Sequence, residues 1–267
     1  MTRITSTRNE RVQAVRRLHR RSARVAERRF VVEGPQAVRE ALDTLEVLFA
    51  TDLDDELARR AAGKGIEVVH VDDTVLAALA ETVTPQGLVG VAPLLTGALP
   101  AAPRLVAVLH EVNDPGNAGT VIRTADAAGA DAVVLTAGSV DPHNGKCVRA
   151  TAGSLWHLPV LSDADALATL DELRARGLTV LATTGAGDAD LDDLDLTGPT
   201  AWLFGTEAHG LPQDLLDAAD VRVRIPIYGA AESLNLASAA AVCLYTSARA
   251  QRDAYGRQDP GGSTVTL

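Results

Sequence analysis

The spacing of apolar residues predicts strands and helices that alternate along the chain. Short apolar runs bounded by turn formers indicate strands buried on both faces, whereas apolar residues three or four apart indicate helices. In the N-terminal third, the predicted strands span 30–33, 46–51, 67–71 and 88–93. The predicted helices there span 9–28, 36–42, 53–63 and 73–81.

The alternation stops in a segment rich in glycine, proline and alanine and then restarts. Beyond it, the predicted strands span 104–112, 132–135, 158–161, 178–182, 200–204 and 221–225. The predicted helices span 117–128, 142–153, 163–176 and 232–250. This pattern predicts an α/β fold with a parallel sheet, preceded by a smaller α/β domain. The predicted divisions are a domain over 1–95, a linker over 96–104, a domain over 105–251 and a disordered tail over 252–267.

Charge is distributed unevenly along the chain. The net charge is -10, yet residues 1–29 contain ten arginines and only two acidic residues. Arginine forks match phosphate oxygens, so the basic segment predicts contact with a nucleic acid. A solvated basic helix without a partner is the alternative that composition leaves open. The candidate nucleic-acid contacts are Arg8, Arg16, Arg17, Arg20 and Arg21.

Several classes of protein lack support in the sequence. No apolar run approaches the roughly 20 residues of a membrane-spanning helix, and the N-terminus does not resemble a secretory signal. Cys147 and Cys243 form no CxxC pair, and the histidines form no HExxH motif, so neither a disulfide nor a metal site is expected. The segment GAGDAD (185–190) lacks the third glycine of a dinucleotide fingerprint, which weakens a dehydrogenase interpretation. A cytoplasmic protein without a metal is the expectation.

Three segments carry candidate chemistry, and the first is NDPGNAGTVIRTADAAGAD (113–131). It follows a predicted buried strand and opens a helix that places Asn117 and Arg123 in its first turns. Helix N-termini at the carboxyl edge of a parallel sheet commonly border a ligand site. The alternatives are that Asn117 only caps the helix and that Arg123 is an ordinary surface residue.

The other two segments lie near the C-terminus. In AWLFGTEAHGLP (201–212), Gly205 and Gly210 would allow the backbone to approach a ligand closely, and Glu207 lies between them. In IPIYGAAESLNLASAAAVC (225–243), Ser233 and Asn235 open an alanine-rich helix. The alternatives are an ordinary loop with a first-turn acid and a core helix with Ser233 as its cap.

In this order, the three segments resemble the three motifs of the SpoU/TrmH family of RNA ribose 2′-O-methyltransferases, in the SPOUT superfamily. The segment HNGKCVRATAGSLWHLPV (143–160) is similar to the family's inter-motif segment, and the likeness spans 105–250. Residues 1–95 resemble the family's RNA-binding domain of the L30e type. This likeness rests mainly on RNERVQAVRRL and FVVEGPQAVREAL.

The resemblance implies a catalytic domain with a C-terminal trefoil knot, which periodicity alone does not predict. It also implies a homodimer in which the helix of the third motif contributes to the interface. S-adenosylmethionine would be held by loops of the second and third motifs and a neighbouring loop. Carried over residue by residue, the cofactor-binding residues are Thr183, Thr184, Gly205, Ile225 and Leu234. The catalytic candidates are Asn117, Arg123, Glu207, Ser233 and Asn235.

The expected reaction is methylation of a ribose 2′-hydroxyl. Ribosomal RNA, most of all 23S, is the preferred substrate because the L30e-like extension is typical of ribosomal-RNA enzymes in this family. The alternatives are methylation of transfer RNA, methylation of a base, and a non-catalytic RNA-binding protein of the same fold.

Overall fold

A computed structural model of the chain describes residues 3–206 and 209–255, the last of them by its backbone only. Its first unit is a mixed sheet of order β1-β4-β2-β3, in which β4 runs antiparallel to both neighbours and β2 runs parallel to β3. The strands are β1 (Arg29–Glu33), β2 (Val47–Ala50), β3 (Glu67–His70) and β4 (Leu88–Pro93). The helices are α1 (Glu10–Arg17), α2 (Arg21–Glu27), α3 (Pro35–Ala41), α4 (Glu56–Gly63) and α5 (Asp73–Leu79).

The single helix predicted over 9–28 is wrong, because the chain breaks into α1 and α2. Arg20 has an extended backbone (ψ 132°) and precedes the first residue of α2. The buried guanidinium of Arg24 donates hydrogen bonds to the carbonyl oxygens of Leu18 and His19, both at 2.9 Å. These bonds satisfy acceptors at the break, which the apolar spacing alone does not indicate.

The second unit is a parallel sheet of order β7-β6-β5-β10-β8-β11-β9, and every pairing described in it is parallel. The strands are β5 (Leu105–Leu109), β6 (Ala132–Thr136), β7 (Val160–Ala164), β8 (Thr179–Thr183), β9 (Ala189–Asp190), β10 (Thr200–Phe204) and β11 (Val221–Arg224). The helices are α6 (Pro115–Ala128), α7 (Gly145–Thr151), α8 (Ala166–Ala175), α9 (Gln213–Ala218) and α10 (Leu236–Tyr255). The predicted parallel α/β fold is confirmed, while β9 and α9 were not predicted.

Helices cover both faces of this sheet. Alternate residues of β5 point into two separate apolar clusters, one containing Ala107 and the other Val108. Helix α10 packs on α6, β5 and β10, and there the buried Trp202 donates a hydrogen bond to Ser247 at 2.8 Å. Burial on both faces explains why these strands are continuous apolar runs. The trefoil knot stays a prediction.

Helix α10 differs from its prediction at both ends. It begins at Leu236, because the side chain of Asn235 accepts a hydrogen bond from the amide of Ala237 at 2.9 Å and caps the first turn. Ser233 therefore lies in the preceding loop and is not the cap. The helix continues to Tyr255, so residues 252–255 of the predicted tail are helical, and residues 256–267 lie outside the described part. None of the described helices is long and apolar enough to cross a membrane.

The two units share a continuous buried surface. One apolar cluster extends from Phe30 and Val32 of β1 to Leu155 and Leu158, which precede β7. The ring of Phe30 lies 4.7 Å from that of His143. The linker is also packed, since a Cβ added at Gly97 would lie 2.7 Å from the backbone of Val160. The N-terminal unit is therefore docked on the parallel sheet through contacts close to α7.

Polar contacts reinforce this junction. Arg24 of α2 forms an ion pair with Asp141 at 2.7 Å, and their side chains are only 4% and 12% exposed. Arg149 of α7 contacts Glu33 of β1 at 3.0 Å. Burial by itself would raise the pKa of Asp141, but hydrogen bonds from His143 and the pairing with Arg24 hold that pKa well below its usual range. The carboxylate of Asp141 is thus ionised and paired within the junction.

Candidate active site

A cavity of about 500 Å³ opens where β10, β8 and β11 end. Parallel strands end at one edge of a sheet, so the loops that follow these strands converge there with the segment before α10. The lining residues are Thr183, Thr184, Gly185, Phe204, Gly205, Thr206, Gly210, Val223, Ile225, Ile227, Glu232, Ser233, Leu234, Asn235, Leu236 and Ala239. They include all five residues that the family resemblance assigned to the cofactor.

The loop after β10 folds back on itself at the cavity. Thr206 and Gly210 form an antiparallel bridge, and Gly210 has a φ of +66°. A Cβ at Gly205 would lie 2.3 Å from the backbone of Gly210. Glycine at position 205 is therefore required by the loop itself, whereas the sequence suggested approach of a ligand.

Polar groups in the cavity fall into two sets. The hydroxyl of Thr183 donates to the carbonyl of Leu203 at 3.1 Å and is committed to the sheet. The side chains of Glu232 and Ser233, by contrast, have no hydrogen-bond partner among the described residues and are exposed. Glu232 is also the one charged side chain among the described lining residues. The cavity combines apolar walls with unsatisfied polar groups at its rim, as small-molecule sites commonly do.

Asn117 is connected to the cavity through Asn235. The amide of Asn235 donates to the side-chain oxygen of Asn117 at 3.2 Å. Helix α6 begins at Pro115, and its cap is Asp114, which accepts a hydrogen bond from the backbone amide of Asn117 at 2.8 Å. The interpretation of Asn117 as the cap is therefore wrong, and its side chain instead links α6 to the loop before α10.

A lysine supports the start of α6. Lys146 of α7 contacts the carboxylate of Asp114 at 2.9 Å. This hydrogen bond is the main reason that the pKa of Asp114 lies below its usual value, with a smaller effect of the amide of Asn117. An ionised carboxylate at this position stabilises the helix N-terminus.

Of the other catalytic candidates, Arg123 is not among the described residues that line the cavity. Arg123 is exposed on α6 and makes no ion pair or side-chain hydrogen bond with a described residue. Glu207 lies outside the described residues. The structure thus brings Asn117, Ser233 and Asn235 together at the cavity with the five predicted cofactor residues. In residues 3–206 and 209–255, no three histidine, cysteine or acidic side chains are grouped to hold a metal ion.

The five candidate RNA contacts differ in their surroundings. Arg8, Arg16 and Arg20 are exposed, and their side chains have no partner among the described residues. Arg17 lies 3.7 Å from Glu27, and Arg21 forms an ion pair with Asp163 at 2.7 Å. Sequence spacing does not reveal these pairings, because the partner of Arg21 lies 142 residues away.

Two ion pairs made by α2 show where this helix lies relative to the cavity. Arg21 contacts Asp163, near the carboxyl end of β7, and Arg24 contacts Asp141, in the loop after β6. The cavity opens at the carboxyl ends of β10, β8 and β11. Helix α2 therefore lies at the same edge of the sheet as the cavity, and α6 begins between the two, after β5.

Residues 104–245 match the SpoU rRNA methylase family. The chain belongs to this family. Residues 9–90 of this SpoU methylase also match the MRM3-like substrate binding domain. The chain is 36% identical to the 23S rRNA (guanosine(2553)-2′-O)-methyltransferase RlmP of Bacillus subtilis (strain 168), over 92% of this chain and 98% of the relative.

Solved structures show the same likeness. The AdoMet-bound rRNA methyltransferase of Sinorhizobium meliloti has a TM-score of 0.83 and 34% identity, with 93% of this chain and 97% of that chain covered. The SpoU methyltransferase AviRb of Streptomyces viridochromogenes, in complex with AdoMet, has a TM-score of 0.83 and 29% identity, with 94% and 100% covered. The family assignment made from the three motifs is confirmed.

The loop before α10 has one feature that the motif comparison did not single out. Within this loop of the SpoU methylase, residues 225–235, Tyr228 is 88% exposed. Its hydroxyl donates a hydrogen bond to the carboxylate of Asp192 at 2.8 Å, which raises the pKa of Tyr228 above its usual value. We call residues 225–235 the rim loop.

Proposed function

We propose that this SpoU methylase transfers a methyl group from S-adenosylmethionine to a ribose 2′-hydroxyl of 23S ribosomal RNA. The observation that carries the proposal is the cavity at the sheet edge, which is lined by Thr183, Thr184, Gly205, Ile225 and Leu234. These residues come from separate loops that the resemblance assigned to the cofactor. The Bacillus subtilis relative, a 23S rRNA 2′-O-methyltransferase that matches nearly the whole chain, supports the same substrate.

The cavity fits S-adenosylmethionine in size and charge. Its volume of about 500 Å³ lies within the usual range for small-molecule sites. Ile225 and Leu234 provide apolar surface for an adenine ring, and Glu232 provides the negative charge that suits a cationic ligand. When bound, the cofactor supplies an electrophilic methyl group on a sulfonium centre.

The residues of the chain then position the ribose and stabilise charge. We assign Ser233 and Asn235 to orienting the ribose, with the contact from Asn117 holding Asn235 in place. A guanidinium normally remains protonated and cannot accept a proton. Arg123 therefore binds the phosphate beside the target nucleotide or stabilises the developing alkoxide. We assign Glu207 to orienting a helix amide or Arg123.

The direct test is incubation of the purified protein with labelled S-adenosylmethionine and unmodified ribosomal or transfer RNA, followed by nucleoside analysis. We expect a 2′-O-methylated nucleoside from 23S ribosomal RNA. A methylated product from transfer RNA alone would mean that transfer RNA, rather than 23S ribosomal RNA, is the substrate. A methylated base would contradict the ribose-directed roles assigned to the site residues. Absence of any product, with cofactor binding intact, would favour a non-catalytic RNA-binding protein.

The three candidate RNA contacts whose side chains have no partner among the described residues provide a second test. Replacing Arg8, Arg16 and Arg20 together with glutamine is expected to weaken RNA binding and make it less salt-dependent. If each contacts a phosphate, the slope of log K against log salt falls by about 0.7–0.9 for each arginine removed. Filter binding at several salt concentrations measures both effects.

The control for this test is Arg59→Gln. Arg59 is exposed on α4 of the same unit, and its side chain has no partner among the residues that the structure describes. We expect its replacement to change RNA affinity little. The triple variant removes three charges and the control removes one. If the control changes log K and its salt slope by a third of the change in the triple variant, RNA responds to overall charge only, which would contradict an RNA-binding surface formed by these three arginines.

The same proposal includes the roles of the two units, the oligomeric state and the cellular compartment. We assign residues 1–95 to RNA binding and 105–251 to catalysis, and we propose a homodimer in the cytoplasm. Val242 and Tyr245 are exposed apolar residues on α10, the helix that the resemblance places at the dimer interface. Cys147 and Cys243 are buried and free, as suits a reducing compartment. Sedimentation as a monomer would contradict the dimer.

A further inference from the structure

Exposed aromatic side chains are rare in this protein. The chain has three tyrosines, three phenylalanines and two tryptophans. Among the described side chains, all three phenylalanines and Trp202 are buried, and Trp156 is half-buried and donates a hydrogen bond to Thr44. The described aromatic residues that remain exposed are Tyr245, on α10, and Tyr228, on the rim loop. Of these two, Tyr228 is the one beside the cavity.

The surroundings of Tyr228 favour a ligand with an apolar face. Its neighbour Ile227 lines the cavity, and Leu234 lines it further along the rim loop. Both side chains are about 40% exposed. Several exposed apolar side chains at the rim of one cavity are typical of a binding surface. The hydrogen bond to Asp192 limits the positions that the Tyr228 ring can take, so the ring is partly oriented before a ligand arrives.

Charge indicates which part of an RNA approaches this surface. The segment 188–193 contains four aspartates, and Asp192 contacts Tyr228 directly. Arg224 neutralises one of them, since it forms an ion pair with Asp190 at 2.7 Å. The remaining negative charge disfavours phosphate groups there. A nucleobase, which is uncharged and has an apolar face, suits this end of the cavity.

The basic surface lies elsewhere along the same edge. Helix α2 contacts β7 and the loop after β6, while Tyr228 follows β11. In the strand order, β7 and β11 are separated by five steps, which corresponds to about 24 Å at ordinary strand spacing. The backbone of a bound RNA would therefore lie towards the arginines, with one base directed to the rim loop.

We propose that Tyr228 stacks on the base of the target nucleotide and so presents its ribose to the cavity. This inference rests on the proposed function. Sequence-specific RNA recognition commonly uses unpaired bases that stack on aromatic side chains. Stacking requires the ring but not the hydroxyl of Tyr228, which separates this role from a purely structural hydrogen bond.

Three substitutions test the stacking role: Tyr228→Phe, Tyr228→Leu and Tyr228→Ala. Loss of one base–aromatic stack corresponds to a rise in the Kd for RNA of about 5- to 150-fold. We expect a rise of this size for alanine and leucine, and a much smaller rise for phenylalanine, which keeps the ring and loses only the orienting hydrogen bond to Asp192. The affinity for S-adenosylmethionine, the melting temperature and the sedimenting mass are expected to stay at their wild-type values.

A modified RNA makes the test specific to the base. Once the methylated nucleotide is mapped, a short RNA that is abasic at that nucleotide keeps its ribose hydroxyl but has no base. Wild-type protein is expected to bind the abasic RNA as weakly as the Tyr228→Ala variant binds the RNA that keeps its base. The variant should bind the two RNAs with equal affinity. This equality is the signature of a direct contact between the ring and the base.

The outcomes separate this inference from the proposed function. If wild-type protein methylates RNA but Tyr228→Ala binds and methylates it normally, the stacking role fails and the proposed function stands. A change of sedimenting mass in the alanine variant would also overturn it, because Tyr228 would then be an interface residue. Failure of the wild-type protein to form any methylated nucleoside would instead refute the proposed function.

Discussion

Replacing Arg123 with alanine is expected to lower kcat by at least about 10²–10³-fold, the usual cost of losing one group that stabilises developing charge. The expectation follows from its position on α6, whose first turn contacts Asn235 of the cavity through Asn117. Arg123 is exposed and has no side-chain partner among the described residues, so its loss should not unfold the protein. Single-turnover methylation with labelled cofactor measures the effect.

Binding of S-adenosylmethionine is the control for this prediction. Arg123 does not line the cavity, so the affinity of the alanine variant for the cofactor should equal that of the wild-type protein. Arg123→Lys keeps the charge but loses the planar fork, and we expect partial activity from it. Loss of cofactor binding in the alanine variant would contradict the assignment, because Arg123 would then act on the cavity.

Replacing Arg24 with alanine is expected to destabilise the folded protein by about 3–5 kcal/mol, as is usual when one partner of a buried ion pair is removed. The substitution leaves the carboxylate of Asp141 buried without its cation. It also removes the donor to the carbonyls of Leu18 and His19. Urea unfolding followed by circular dichroism measures the change in the free energy of unfolding.

Arg21→Ala is a matched control on the same helix. Arg21 pairs with Asp163, but the two side chains are 49% and 61% exposed. Exposed pairs contribute little, so we expect a loss below about 1 kcal/mol. Similar losses in both variants would contradict the view that Arg24 belongs to the junction between the two units and Arg21 to the surface.

The ion pair between Arg24 and Asp141 should make the stability of the protein depend on pH in one direction. Because the folded-state pKa of Asp141 is depressed, its contribution to stability is present above the unfolded pKa, about 3.9, and disappears as the pH falls through the folded value. The stability difference between wild type and Asp141→Asn is therefore expected at neutral pH and should decrease below about pH 4. A difference that stays constant down to the acid transition would contradict this account.

These pairings change the interpretation of the basic N-terminal segment. Its composition suggested one RNA-binding arm, but Arg24 is buried in the junction and Arg21 contacts Asp163 of the parallel sheet. Among the five candidate RNA contacts, the arginines whose side chains have no partner in the described part of the chain are Arg8, Arg16 and Arg20. The same helix thus contributes to docking of the N-terminal unit and lies next to the surface that we assign to RNA.

The sequence alone determined the alternation of strands and helices, although it merged α1 with α2 and missed β9 and α9. It also determined the parallel character of the C-terminal sheet and the family. Strands such as β5 and β10 are buried on both faces, so their residues form continuous apolar runs that are visible without a structure. Gly205, Ile225 and Leu234 lie in motif segments whose resemblance to the family pointed to the cofactor. All three are found at the cavity.

Only the tertiary structure decided which polar side chains meet. The partner of Arg24 lies 117 residues away, and Asn117 contacts a residue 118 positions further along the chain. Local propensity does not report such contacts, because they depend on how the sheet brings distant loops to one edge. The break between α1 and α2 and the cap of α10 at Asn235 were mispredicted for a related reason. In both places, a side-chain hydrogen bond to the backbone, rather than apolar spacing, sets where the helix begins or ends.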